Sequence, residues 1–155
     1  MAVTRPSVAD ISHFLSNLSG QKAWGVAWSI AGFTIEIGKE RMEPERKRRC
    51  GEIGIFILCS WQLKTVDGQM LSEEDDHSHE EWTPLLRTHL ENKIIQSASV
   101  NARNHQLLIF FKDGTELSVL PNPGKSEEVW TLFYFAQDGS QHWCTLNGKK
   151  VLYDD

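Results

Sequence analysis

The sequence predicts an α+β fold, mainly antiparallel β-sheet with two short helices. Three observations predict it. Short runs of alternating apolar and polar residues recur along the chain. Asp-Gly pairs at 67–68, 113–114 and 138–139 punctuate them as turns. Helical spacing is confined to two stretches.

Ser7 and Asp10 have the spacing of a capping box, with Asp in place of the usual Glu or Gln. Val8, Ile11, Leu15 and Leu18 follow at helical spacing beside Phe14, and Gly20 stands where a helix end takes a left-handed residue. A first helix is predicted over 8–18. Trp24, Val26, Trp28 and Ile30 then alternate with Ala23, Gly25, Ala27 and Ser29, a strand with one bulky and one small face. Past Gly32, Phe33, Ile35 and Ile37 alternate with Thr34 and Glu36 as the returning arm. Residues 39–50 read as a charged loop around Pro44. Residues 51–63 read as one long interior strand, because Ile53 to Leu63 line one face while Phe56 and Leu58 make the other apolar.

Thr83-Pro84 resembles an N-cap followed by proline at the first helical position, opening a second helix with Leu85, Leu86 and Leu90. Further strands are predicted at 93–103, 107–111, 115–120, 129–136 and 141–146, with a short edge strand at 151–153. Residues 107–111 are apolar on both sides and belong in the interior of a sheet. The halves share a rhythm: Leu15, Leu18 and Lys22 precede strands as Leu86, Leu90 and Lys93 do, and Phe33–Gly38 parallels Ile109–Gly114. One reading is a single domain over 1–155 with a pseudo-repeat, 8–66 and 83–146, joined by an acidic loop at 67–82. The other is that any two α+β halves keep this rhythm.

At 155 residues, the chain is long enough to bury a core without metal or disulfide staples. The net charge of −5 disfavours nucleic acid as a partner, because duplex binding needs many Lys and Arg to displace counterions. Three cysteines without regular spacing form no disulfide framework. No segment has the roughly 20 apolar residues of a membrane span, and the start shows no apolar signal stretch. A cytoplasmic protein with no membrane association is expected.

The segment 73–81, EEDDHSHEE, holds six carboxylates and two histidines and no aliphatic residue. His77 and His79 among carboxylates have some metal-ligand character, but no second pair of matching spacing completes a site. No metal and no cofactor is therefore expected. The stretch 41–49 carries five basic residues against two acidic ones, without the aromatic platform that single-strand binding uses. Cys50 follows Arg48 and Arg49, whose charges would favour its thiolate, yet no histidine is placed beside it by sequence. Phosphate-loop, dinucleotide, serine-hydrolase and zinc-protease signatures are absent from the sequence. No catalytic residues are assigned.

Leu18–Val26 (LSGQKAWGV), Phe33–Gly38 (FTIEIG), Gly51–Leu63 (GEIGIFILCSWQL), Leu107–Val119 (LLIFFKDGTELSV) and Val129–Tyr134 (VWTLFY) together resemble small bacterial β-rich proteins of unknown function. The likeness covers about 18–135, lies in packing motifs, and implies a fold rather than a chemistry. Such proteins are similar in character to immunity proteins and other inhibitors. The expected function is a non-enzymatic protein-binding domain, in its sharpest form an immunity-type inhibitor of a basic toxin or effector. Its candidate partner-binding residues are Glu73, Glu74, Asp75, Asp76, Glu80, Glu81 and Trp82. The alternatives are a ligand-binding protein or enzyme with a pocket lined by Trp24, Trp28 and Trp61, and a structural homodimer subunit.

Overall fold

The computed structural model describes residues 6–29, 32–43, 47–136 and 138–153. Ile30 of the first predicted strand and Pro44, Glu45 and Arg46 of the predicted charged loop lie outside them. Helix α1 (Val8–Ser16) opens on the expected capping box: Ser7 Oγ accepts the Asp10 N–H at 3.2 Å and the Asp10 carboxylate accepts the Ser7 N–H at 2.8 Å. Asp suffices at this position because its shorter side chain still spans the turn. The chain leaves the helix through Gly20, at φ +86°.

Five strands follow, β1 (Ala23–Trp28), β2 (Phe33–Met42), β3 (Arg49–Ile57), β4 (Ser60–Lys64) and β5 (Met70–Ser72). Helix α2 (His79–Leu90) precedes β6 (Ile95–Val100), β7 (Leu107–Phe111), β8 (Glu116–Leu120), β9 (Trp130–Phe135), β10 (Gln141–Leu146) and β11 (Val151–Tyr153). They form two sheets, ordered β1-β2-β3-β9-β10-β11 and β5-β4-β8-β7-β6. All pairs between these strands are antiparallel. As expected from their two apolar faces, β3 and β7 are interior strands.

The chain changes sheets twice in matching ways. β1–β3 form a meander in the first sheet and β4–β5 join the second; β6–β8 form a meander in the second and β9–β11 join the first. The registers match too. Trp61 lies opposite Val119 and Leu63 opposite Leu117, while Trp130 lies opposite Ile57 and Leu132 opposite Ile55. The Gly38 N–H bonds the Lys22 carbonyl at 3.0 Å, and the Lys112 N–H bonds the Ile94 carbonyl at 2.9 Å. Each helix packs on the first strand of the other half, α1 on β6 and α2 on β1. Lys22 and Ile94 form a bridge where the two halves meet.

Inward residues of both sheets meet in one buried cluster. Phe33, Ile35, Ile37, Ile55 and Ile57 come from the first sheet, and Trp61, Leu63, Ile109, Phe111 and Val119 from the second. Ile11 and Leu15 enter from α1, and Trp82, Leu86 and Leu90 from α2.

Four local expectations are corrected. The single strand over 51–63 is two strands in different sheets. The chain leaves β3 at Leu58, and both pieces present apolar residues inward, so the alternation continues across the crossing without a break in polarity. The charged loop over 39–50 is largely paired strand, with Arg41 opposite Cys50 and Met42 opposite Arg49. Its charges pair along the hairpin, Arg49 with Glu40 at 3.4 Å and Arg48 with Glu43 at 3.2 Å. Trp24 does not share a face with Val26 and Trp28. A bulge between Trp24 and Ala27, with Gly25 at φ +60°, turns Trp24 to the side of its partner Glu36 and leaves Val26 buried. Finally, α2 begins five residues before Pro84. Ser78 is its N-cap, accepting the Glu81 N–H at 3.3 Å, and Pro84 sits inside the helix. The pull that extends the helix back is Trp82, seated in the core.

Candidate functional site

The acidic stretch at 67–82 is not one loop, since it contains β5 and the first turn of α2. Three carboxylates of its segment 73–81 are occupied by the fold. Glu73 Oε2 accepts the Trp61 N–H at 2.9 Å, Asp75 Oδ2 accepts the Ser72 N–H at 2.9 Å, and Glu81 accepts from the Ser78 hydroxyl at 2.9 Å. The Ser78 and His77 bonds hold the Glu81 carboxyl below its ordinary pKa. Glu74, Asp76 and Glu80 are exposed, as are Glu73 and Glu81, while Asp75 is half-buried. The segment is therefore tied down at three points and carries its exposed charges on an ordered turn, where sequence composition alone suggests a loose one.

Trp82 is 3% exposed and cannot act as a surface anchor in this fold. It stacks on Trp28 at a centroid distance of 5.1 Å and meets Trp61 edge-on at 5.4 Å; Trp61 in turn meets Phe33 at 5.1 Å. Sequence reasoning placed it on the surface because its neighbours are charged. Its position one turn before Leu86 and two before Leu90 was the available signal. The expected pocket lined by Trp24, Trp28 and Trp61 is not formed: Trp61 is core, Trp28 packs on Trp82 and Phe33, and Trp24 lies on the other side of the sheet.

His77 and His79 diverge. His77 Nδ1 lies 3.3 Å from the Glu81 carboxylate and its ring abuts Trp82, while His79 Nδ1 accepts the Trp28 indole N–H at 3.1 Å. Among the described residues, no group of three or more His, Cys, Asp or Glu side chains is placed to hold a metal ion. The expectation that Arg48 and Arg49 would favour a Cys50 thiolate is corrected. Burial pushes the thiol up, with Glu36 and Glu43 adding to the effect and Arg48 and Arg41 opposing it. Burial likewise raises Cys59 and Cys144, each to about 12.

A hydrogen-bonded chain at the β10 end has no signature in the sequence. Tyr153 Oη lies 2.9 Å from His142 Nδ1, His142 Nε2 lies 2.8 Å from Ser140 Oγ, and Ser140 Oγ bonds the Asp138 carboxylate. His142 stacks between Tyr134 and Tyr153. A serine beside a histidine resembles a nucleophile beside its base. The ionised Asp138, however, can only accept, so the Ser140 hydroxyl donates to it and His142 Nε2 is left to donate to Ser140 Oγ. The chain thus pins β11 to the hairpin rather than arming Ser140.

Depressions among the described residues include one of about 260 Å³ between Gln62, Ser72, Glu74, Gln106 and Ser118, and one of about 150 Å³ between Phe14, Leu132, Tyr134 and Cys144. The first is lined by the carboxylates of Glu73 and Glu74 beside the hydroxyls of Ser60, Ser72 and Ser118, and the second by Asp10 beside Tyr134 and Cys144. Among the described residues, no helix is long and apolar enough to cross a membrane. Comparison with family models, curated proteins and solved structures returns no match to this chain.

Proposed function

We propose that this protein is a non-enzymatic protein-binding domain whose partner carries a basic surface, an immunity-type inhibitor of a basic toxin or effector being the sharpest form. The observation that carries this reading is the anchored acidic turn. Glu73, Asp75 and Glu81 fix the backbone by internal hydrogen bonds, and Glu74, Asp76 and Glu80 are thereby presented to solvent between β5 and α2. Ordered like charges accelerate encounter with an opposite surface and cost less entropy on docking than a loose loop. A cytoplasmic setting, in which its three buried thiols stay reduced, accords with this reading. The likeness to small bacterial β-rich proteins of unknown function, similar in character to immunity proteins, belongs to the same proposal.

The test is affinity capture from a lysate of the native host, using the full chain and a Glu74→Ser/Asp76→Ser/Glu80→Ser variant side by side. A basic protein retained by the parent and lost from the variant supports the reading. A partner retained equally by both contradicts it.

A second reading, a homodimer subunit, is favoured by one observation. The outer face of the six-stranded sheet exposes Trp143 at 41% and Leu152 at 50% beside the half-buried Phe133.

A further inference from the structure

We infer that the outer face of the six-stranded sheet, centred on Glu36, is a docking surface for an arginine-bearing segment of a partner protein. The inference rests on the protein-binding reading above and assigns it a second, separate contact surface.

The strand register places the face. Trp24 lies opposite Glu36, Glu36 opposite Gly54, Gly54 opposite Phe133, and Phe133 opposite Trp143, so these five form one row across β1, β2, β3, β9 and β10. Directly opposed residues of antiparallel strands share a face. The neighbours of Glu36 and Gly54 along their strands, Ile35, Ile37 and Ile55, are buried in the core, so this row faces outward. Phe56 and Phe135, displaced two residues along β3 and β9, stand on the same side.

The row has a notch. A Cβ at Gly54 would stand 3.3 Å from Glu36 Oε2 and 3.7 Å from Phe133 Cβ, so the missing side chain leaves the floor between carboxylate and ring open. At Gly25, next to Trp24, a Cβ would meet Glu36 Cγ at 2.9 Å, so the glycine lets Glu36 lie along the sheet. Glu36 Oε2 accepts the Gly51 N–H at 2.8 Å, and a carboxylate has acceptor capacity beyond one such bond. A carboxylate bordered by aromatic rings matches a guanidinium, which takes bidentate hydrogen bonds in its plane and stacks on ring faces.

The protein already places one such group on this face. The Arg41 guanidinium lies 4.2 Å from the centroid of the Phe135 ring. Phe133 and the exposed Trp143, whose rings are 6.4 Å apart, offer the same kind of surface, and among the described residues no cation lies over either ring. The half-buried Glu36 carboxyl is pushed above its ordinary pKa by burial, a cost that an incoming cation would offset.

The experiment is a residue-resolved NMR titration of the full chain with a short peptide of alternating arginine and glycine, and with its glutamate counterpart. Saturable shifts at Glu36, Gly54, Phe133 and the Trp143 indole N–H are expected with the arginine peptide only. Glu36→Gln and Trp143→Ala should each weaken binding about tenfold, the equivalent of about 1.4 kcal/mol, with the rest of the spectrum unchanged. Gln still accepts the Gly51 N–H, so the first variant keeps the fold. Shifts confined to Glu73–Glu81 would overturn this surface and leave the acidic turn as the basic-partner site. Absence of shifts anywhere would count against both. An equal response to the glutamate peptide, or broadening of this face with protein concentration alone, would overturn the inference in favour of general stickiness or a second copy of the chain.

Discussion

Replacing Trp82 with alanine separates a core role from a contact role. The side chain is 3% exposed and packs on Trp28, Trp61 and His77 at centroid distances of 5.1, 5.4 and 4.7 Å. Trp→Ala changes in cores cost about 3–5 kcal/mol, and two aromatic partners place this site toward the upper end. With an m-value of about 1–3 kcal/mol/M in urea, the midpoint should fall by at least about 1 M. At about 2–4 °C per kcal/mol for a chain of this size, Tm should fall by about 6–20 °C. Trp82→Phe should recover part of the loss, because a ring still meets Trp28. Equilibrium urea unfolding followed by circular dichroism is the assay. A Trp82→Ala midpoint within error of the parent would refute the reasoning and return Trp82 to the surface.

Other outcomes follow from the same structure. Ile57→Ala should cost about 2–5 kcal/mol in denaturant unfolding, since Ile57 is 0% exposed and paired with both Phe33 and Trp130. Asp113→Asn should remove about 1 kcal/mol at neutral pH after allowance for solvent screening. Burial works against the Asp113 charge, but the bonds from Lys93 and Thr115 outweigh it and hold the carboxyl at about 2. That stability is present above pH 3.8 and is lost as pH falls toward 2, so the parent and variant should converge in acid. Glu36→Gln has the opposite sign. Burial raises this carboxyl above 4.5, the folded protein therefore loses stability as pH rises through that value, and the variant should match or exceed the parent at neutral pH and equal it below 4.5. Elemental analysis of untagged protein should find no stoichiometric zinc, because His77 and His79 are turned to different partners.

Much of the fold was legible from local chemistry. The Ser7–Asp10 box, Gly20, the Asp-Gly turns and the two-sided apolarity of β7 each depend on neighbours in sequence. What was not legible depends on pairing. Leu58 gives no local sign that the chain changes sheets, because Ile57 and Trp61 are equally apolar and only Trp130 and Val119 opposite them differ. The seal on β1 was likewise hidden. Thr83, Arg87 and Glu91 stand at intervals of four on α2, where Thr83 Oγ1 and Glu91 Oε1 accept the Trp28 and Gly25 N–H groups and Arg87 Nε donates to the Val26 carbonyl. These bonds satisfy an edge that would otherwise invite another strand. Of the candidate site, the charge of 73–81 was readable. Which of its carboxylates anchor the turn was not, since that depends on backbone donors at Trp61 and Ser72.

In the proposed function, Glu74, Asp76 and Glu80 steer a basic partner onto an ordered turn. The most direct test is the association rate constant of the captured partner, measured at several salt concentrations for the parent and for Glu74→Ser/Asp76→Ser/Glu80→Ser. The variant should associate more slowly at low salt, converge with the parent as exposed charges are screened over about 8 Å at physiological ionic strength, and keep its urea midpoint. Equal rates with equal salt dependence would contradict this steering.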